Sequence, residues 1–258
     1  IFEKSKYPGG MLRYGIPSFV LENNVIDAEI DIIKELGVDI KCGVEVGKDI
    51  SLDELRLQGY KAFYVAIGCQ GGNKPGVPGD DAIGTATAVD FLHEVSENEA
   101  YDIKGDLVVI GGGNVAIDVA RSARRVGNEK VSMFCLETRD IMPASPEEIE
   151  IVEAEGVELN CGWGPKEVLV DEAGAVKGIV LKKCTRVKDE TGRFSPQYDD
   201  NDTITVECKH VIFSVGQRSV YGDLFKGSKV VIERGPKADA LTYQTDEPDI
   251  FVGGDMYT

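Results

Sequence analysis

The chain has 258 residues, of which 42% are apolar and 28% charged, enough for one large or two modest globular domains with proper cores. A net charge of −17 and the lack of any long Lys/Arg cluster argue against nucleic acid or an anionic membrane as partner, since both require a positive face. No apolar run reaches transmembrane length and no signal-peptide pattern is present, so the chain reads as cytoplasmic.

In chain order, Ile1-Phe2-Glu3 reads as the tail of a strand ending in an acid, followed by a glycine-rich loop, Tyr7-Pro8-Gly9-Gly10-Met11-Leu12-Arg13-Tyr14-Gly15-Ile16-Pro17. Residues 24–36 carry Val25, Ile26, Ile30, Ile33 and Leu36 at helical spacing, with Gly37 as the stop. Residues 38–42 read as a strand, and Ser51-Leu52-Asp53-Glu54 is a capping-box pattern opening a short helix. Residues 60–67 form an apolar strand running into Gly68. Pro75, Gly76, Pro78 and Gly79 mark a crossing point and a domain boundary, after which residues 85–96 read as a helix.

The stretch from Asp106 to Glu137 has the order strand, glycine turn, helix, strand, acid. The apolar run Leu107–Ile110 leads into Gly111-Gly112-Gly113-Asn114-Val115-Ala116. Val115, Val119, Ser122 and Val126 then recur at three- or four-residue steps, and Gly127 ends the helix. A second strand over 131–136 stops at Glu137. Each part has a physical reason. Gly111 permits a sharp turn out of the strand, and Gly113, lacking a β-carbon, permits close approach of a pyrophosphate. Ala116 is small enough for close helix–strand packing. The N–H groups of the first helical turn, backed by the positive end of the helix dipole, suit an anion. The pattern predicts a dinucleotide site; a purely structural glycine turn is the alternative.

Further on, Ser145-Pro146-Glu147-Glu148 is a second capping box with proline at the first helical position, and that helix runs to Gly156. Its acids Glu147, Glu148, Glu150, Glu153 and Glu155 read as a solvated face. Residues 167–187 form a hairpin around Glu172-Ala173-Gly174, and 188–202 read as an exposed polar loop. Residues 203–215 alternate into a buried strand ending at Gly216, a second boundary, and 217–258 return to short strands and turns. Cys42, Cys69, Cys135, Cys161, Cys184 and Cys208 are scattered without a CxxC pair, a spacing that offers neither a redox dithiol nor metal ligation. His93 and His210 read as structural. The chain starts at Ile1 and ends at Thr258 without a closing element, which reads as a piece of a longer polypeptide.

The segments GGMLRYGIP at 9–17, VAIGC at 65–69, GVPGDD at 76–81, VIGGGNVAIDVARSARRVG at 109–127, MPAS at 142–145, SVGQ at 214–217 and VGGD at 252–255 resemble, in order, the flavin-dependent oxidoreductases typified by the small (beta) subunit of glutamate synthase, with a related module in dihydropyrimidine dehydrogenase. The resemblance covers nearly the whole chain. It implies an α/β fold: a Rossmann-like, three-layer NAD(P)-binding domain at 84–214 inserted in an incomplete FAD-binding domain made of 1–80 and 217–258. Glu3 matches the acid that binds the flavin nucleotide's ribose hydroxyls, and residues 10–13, with Gly10 and Arg13, match the loop beside its diphosphate. Asp255, with Gly254, matches the contact to the ribityl chain. The family's first glycine fingerprint and an iron–sulfur region would precede Ile1, so FAD is expected to be held by the longer parent and not tightly by this piece.

Family members that use NADPH carry an arginine pair where this chain has Leu136 and Glu137. Arginines there would pair with a 2′-phosphate; Glu137 would repel it and accept hydrogen bonds from a free ribose diol. Arg139 stands close enough to compensate in part, and Glu137 as a solvated loop acid is the alternative. NADH is therefore expected over NADPH. Hydride transfer to a flavin needs no protein nucleophile, so no catalytic side chain and no metal site are nominated. The diphosphate is expected at Gly111, Gly112, Gly113, Asn114, Val115 and Ala116, the adenosine ribose at Glu137, and the nicotinamide end near Gly216. Asp118 and Arg121 read either as contacts or as salt-bridge residues, and Arg124 and Arg125 as charges complementing the helix end. Cys69 is a minor redox candidate without a partner. The resemblance implies an iron–sulfur or glutamate synthase large-subunit-type partner; the alternative is a nucleotide-binding regulatory or assembly module without redox turnover.

Overall fold

The computed structural model describes all residues except Glu99, Glu129 and Thr258, the last of which closes the terminal stretch noted above. The chain forms two compact units. One, the larger, holds residues 14–17 and 72–216, including 72–80; the other holds 1–13, 18–71 and 217–258.

The larger unit begins with β1 (Thr85–Thr87), α1 (Ala88–Glu97), β2 (Leu107–Ile110), α2 (Asn114–Arg125) and β3 (Val131–Cys135). It continues with α3 (Pro146–Ala154), β4 (Glu158–Cys161), β5 (Trp163–Val170), β6 (Val176–Lys188), β7 (Phe194–Glu207) and β8 (His210–Phe213). A five-stranded sheet runs in the order β1-β8-β2-β3-β4, with every neighbouring pair parallel. Strands β5, β6 and β7 form a separate three-stranded antiparallel sheet.

Alternation along the parallel strands divides the core in two. Val109, Met133 and Ile212 face one way and pack with Ile117, Val119 and Ala120 of α2 and with Ile149 and Val152 of α3. Val108, Ile110, Phe134, Val211 and Phe213 face the other way and meet Val168, Ile179 and Leu181 of the antiparallel sheet. The central strands are buried on both faces, which is why they read as continuous apolar runs. Each fully buried Ile, Leu or Phe contributes roughly 1.5–3 kcal/mol of transfer free energy. The three layers are thus helices, parallel sheet and antiparallel sheet.

Several expectations are corrected. The helix expected over 85–96 begins only at Ala88, because 85–87 pair with β8 as an edge strand, and Thr87 becomes the N-cap. The polar stretch 188–202 is not a loop: Asp189–Gly192 make a tight turn and Phe194 starts β7, a long strand whose side chains are mostly exposed. An edge strand with polar faces lacks the apolar alternation that reveals a half-buried one. The single strand expected over 203–215 is two strands in different sheets, parted at Cys208-Lys209.

In the smaller unit, Phe2–Glu3 pairs in parallel with Lys41–Cys42, a shorter strand than 38–42. The helix Asn23–Glu35 buries Ile26 and Ile30 and ends before Gly37, whose φ of +89° suits glycine. The helix Leu52–Leu57 opens with the complete Ser51/Glu54 capping box. Phe63–Val65, shorter than 60–67, pairs in parallel with Ile250–Val252 over a core of Leu52, Val65, Leu224 and Met256. Arg56 donates to both oxygens of Asp249 at 2.7 and 2.8 Å, tying this helix to the returning chain segment.

Candidate functional site

Strand β2 lies between β8 and β3, and the chain leaves it through α2 toward β3 alone. The carboxyl end of β2 therefore sits at the point where the sheet's winding reverses, the place where open α/β sheets bind ligands. Gly111 stands there with φ +151°, its N–H donating to the Phe134 carbonyl at 2.9 Å. A β-carbon on it would collide with the Ser214 carbonyl after β8. Gly112 is confined too, though less tightly, since its β-carbon would lie 2.9 Å from Cys135 Cβ and 3.1 Å from Glu137 Oε2.

Gly113 differs from both. Its φ of −94° and ψ of 175° suit any residue, and a β-carbon there would meet no atom within 4 Å. The space above it is open, and no side chain caps the helix it begins. Ala116, fully buried, packs α2 against the sheet, while Asn114 and Val115 are exposed on the first turn. Such a helix start, with N–H groups facing a glycine cradle, accommodates an anionic diphosphate. The residues present fit a dinucleotide.

The 142–145 segment braces this turn. Ala144 N–H donates to the Gly112 carbonyl at 3.1 Å, and Ser145 N–H donates to Asn114 Oδ1 at 2.9 Å. Met142 and Ala144 are buried beneath it. The bracing depends on contacts remote in sequence and has no local signal, although MPAS stood out as a motif. Glu137, half-buried, lies beside Gly112, whereas Arg139 turns to the surface and donates to Glu153 at 2.6 and 3.3 Å. Gly216 closes the unit with φ +97°, its carbonyl accepting from Asn73 N–H at 3.0 Å.

Asp118, one turn into α2, is partly buried beside Glu148, and burial, followed by that charge, raises its pKa to about 6. Arg121 donates to Glu148 at 3.2 Å and to Glu155 at 3.1 Å, and Arg125 donates to Glu155 at 2.7 Å. These arginines pull the Glu155 pKa down to about 2, Arg125 chiefly. Arg121 thus takes the salt-bridge role, joining α2 to α3. Arg124 donates to the Asn128 carbonyl at 3.2 Å, just past the helix end.

In the smaller unit, Glu3 Oε1 accepts the Ser5 N–H at 2.7 Å. Arg13 is buried, donates to the Pro8 carbonyl at 2.8 Å and pairs with Asp27, so it holds the glycine loop in place. Gly10 (φ +51°) and Gly254 (φ +68°) both have open space where a β-carbon would stand. Asp255 lies in the 3₁₀ turn Gly254–Met256, and the Cys69 thiol donates to its carbonyl at 3.2 Å. The glycines fit close approach of a ligand.

The parallel sheet with its glycine turn at the switch point defines a dinucleotide-binding fold of Rossmann type. The family model of the pyridine nucleotide-disulphide oxidoreductases matches residues 17–258. The chain belongs to that family. It is 36% identical over 99% of its length to the NADP(+)-dependent formate dehydrogenase subunit beta of Moorella thermoacetica, covering 36% of that protein. It is 33% identical over 99% of its length to the NAD-dependent dihydropyrimidine dehydrogenase subunit PreT of Salmonella typhimurium, covering 56% of it. With the glutamate synthase [NADPH] small chain of Halomonas elongata it shares 29% identity over 99% of its length and covers 57% of that protein. The chain therefore spans little more than half the length of these relatives, or less. The solved structure of Mycobacterium tuberculosis FprA in complex with NADPH shares its fold at a TM-score of 0.76, with 19% identity over 98% of this chain and 70% of the other.

Proposed function

We propose that the chain is the nicotinamide-nucleotide-binding portion, with part of the flavin-binding portion, of an FAD-dependent NAD(P)H oxidoreductase of the glutamate synthase small-subunit type. When bound, the cofactors supply the redox chemistry: hydride passes from NAD(P)H to FAD, and electrons go on to iron–sulfur centres of a partner. The protein's part is positional. The α2 amides at Asn114 and Val115 and the cradle of Gly111, Gly112 and Gly113 bind the diphosphate, Ala116 allows the helix to sit close, and Gly216 stands toward the nicotinamide end. Gly10 and Gly254 give the flavin close approach to the smaller unit, and Arg13 fixes the loop that does so. Glu3 and Asp255 are the acids proposed for the flavin's ribose and ribityl hydroxyls.

The observation that carries this reading is the open space above Gly113 at a helix start no side chain caps. NADH is proposed over NADPH. Glu137 stands beside the glycine turn, where it would accept from a ribose diol and repel a 2′-phosphate, and Arg139 is engaged with Glu153. The relatives include proteins named for either nucleotide, so the choice rests on these residues. Anaerobic addition of NADH to the full-length flavoprotein tests the function. Bleaching of the flavin colour is expected; nucleotide binding without bleaching would instead identify a regulatory module.

A further inference from the structure

Scattered in sequence, two of the cysteines meet in the fold. Cys135 ends β3 and Cys161 ends β4, and the parallel register makes them direct partners. Their sulfurs lie 3.7 Å apart, and Cys161 Sγ is 3.9 Å from Met142 Sδ. Adjacent strands lie roughly 4.8 Å apart, inside the approximate 4.4–6.8 Å range of Cα separations that a disulfide spans. Side-chain rotation alone can then close the gap to a bond. The expectation that the cysteine spacing offers no redox dithiol considered neighbours in sequence and not in the sheet.

The two thiols are unequal. Cys135 is 2% exposed and its sulfur faces the Glu137 carbonyl at 3.6 Å, whereas Cys161 is only half-buried. Burial, with Cys161 next, pushes the Cys135 thiol well above the usual thiol range, so Cys161 meets an oxidant first. Cys135 is then held in place to resolve it.

We propose that Cys135 and Cys161 are a reversible oxidation site that takes a hydroperoxide and closes a disulfide directly beneath the glycine turn. The Cys161 thiolate attacks the distal peroxide oxygen, the O–O bond breaks, and an alcohol or water leaves with a sulfenic acid on Cys161. Cys135 sulfur attacks that sulfur, the S–S bond forms, the S–O bond breaks, and water leaves with the Cys135 proton. Two thiols lose two electrons and the peroxide gains them. The bond would cross-link β3 to β4 next to Gly112, whose β-carbon position is 2.9 Å from Cys135 Cβ. Neither nucleotide nor flavin takes part, so the site stands independently of the proposed function.

The test treats the full chain with hydrogen peroxide, denatures it, alkylates free thiols and maps unreduced peptides by mass spectrometry. The expected product is one peptide pair joined through Cys135 and Cys161, lighter by two hydrogens, reversed by dithiothreitol and absent in Cys161→Ser. Closing a loop between residues 26 apart should also raise the melting temperature by about 5–10 °C. Recovery of both thiols alkylated as fully as that of Cys208, or of Cys161 as a sulfinic acid without cross-link, would overturn the proposal.

Discussion

Glu137 reaches back to Gly112: its Oε2 lies 3.1 Å from where a β-carbon on that glycine would stand. The acid that follows β3 and the turn that follows β2 are thereby brought together, although 25 positions separate them in the chain (137 − 112). Replacing Glu137 with arginine should reverse the nucleotide preference. Titration calorimetry is expected to show at least about tenfold weaker NADH binding, the loss of one charge-assisted interaction of about 1.5–3 kcal/mol, with NADPH binding strengthened. Unchanged ratios would assign Glu137 to the solvated surface.

Gly111 and Gly113 separate stability from binding. At Gly111 both the +151° φ and the Ser214 carbonyl oppose a side chain, so Gly111→Ala should destabilise the fold by about 2 kcal/mol or more in urea unfolding. At Gly113 a β-carbon would meet no atom within 4 Å. A change to valine there is expected to cost at most about 1 kcal/mol, the difference in N-cap preference, well short of the Gly111 change.

The Asp118 carboxyl should make stability fall as pH rises. Its folded pKa of about 6 exceeds the ordinary value of 3.8, so between these pH values the unfolded chain gives up a proton that the folded chain keeps. Stability drops across that window and levels off above it. Asp118→Asn should lack the drop and be more stable than wild type at pH 7 by about 1–3 kcal/mol, measured by denaturant titration at a series of pH values.

Glu155 has the opposite sign. Its pKa, lowered to about 2 from 4.5 by Arg125 and Arg121, contributes stability fully present above 4.5 and lost as pH falls toward 2. Arg121→Ala should cost about 1–3 kcal/mol at neutral pH, since Arg121 is only 12% exposed and bonds two acids, and should flatten the acid limb of the profile.

The central βαβ segment was legible because each local signal agreed with the global fold. Leu107–Ile110 is apolar throughout, Gly111 needs its unusual φ, and Gly127 ends the helix with φ +101°. The hairpin at Glu172-Ala173-Gly174 was legible for the same reason, its turn closed by Asp171. The strand β7 escaped notice because its polar side chains are exposed and only its backbone pairing with β6 orders it. The Cys135–Cys161 pair and the bracing of Gly112 by Ala144 escaped for another reason: both arise from strand register and packing between distant segments, which no local window contains.

The most direct measurement is the structure of a crystal soaked with NADH, with Gly113→Val soaked in parallel. Diphosphate oxygens are expected within about 2.7–3.2 Å of the Asn114 and Val115 N–H groups in the wild type, and no ligand there in the variant. A nucleotide bound elsewhere, or bound equally well above a valine at 113, would contradict it.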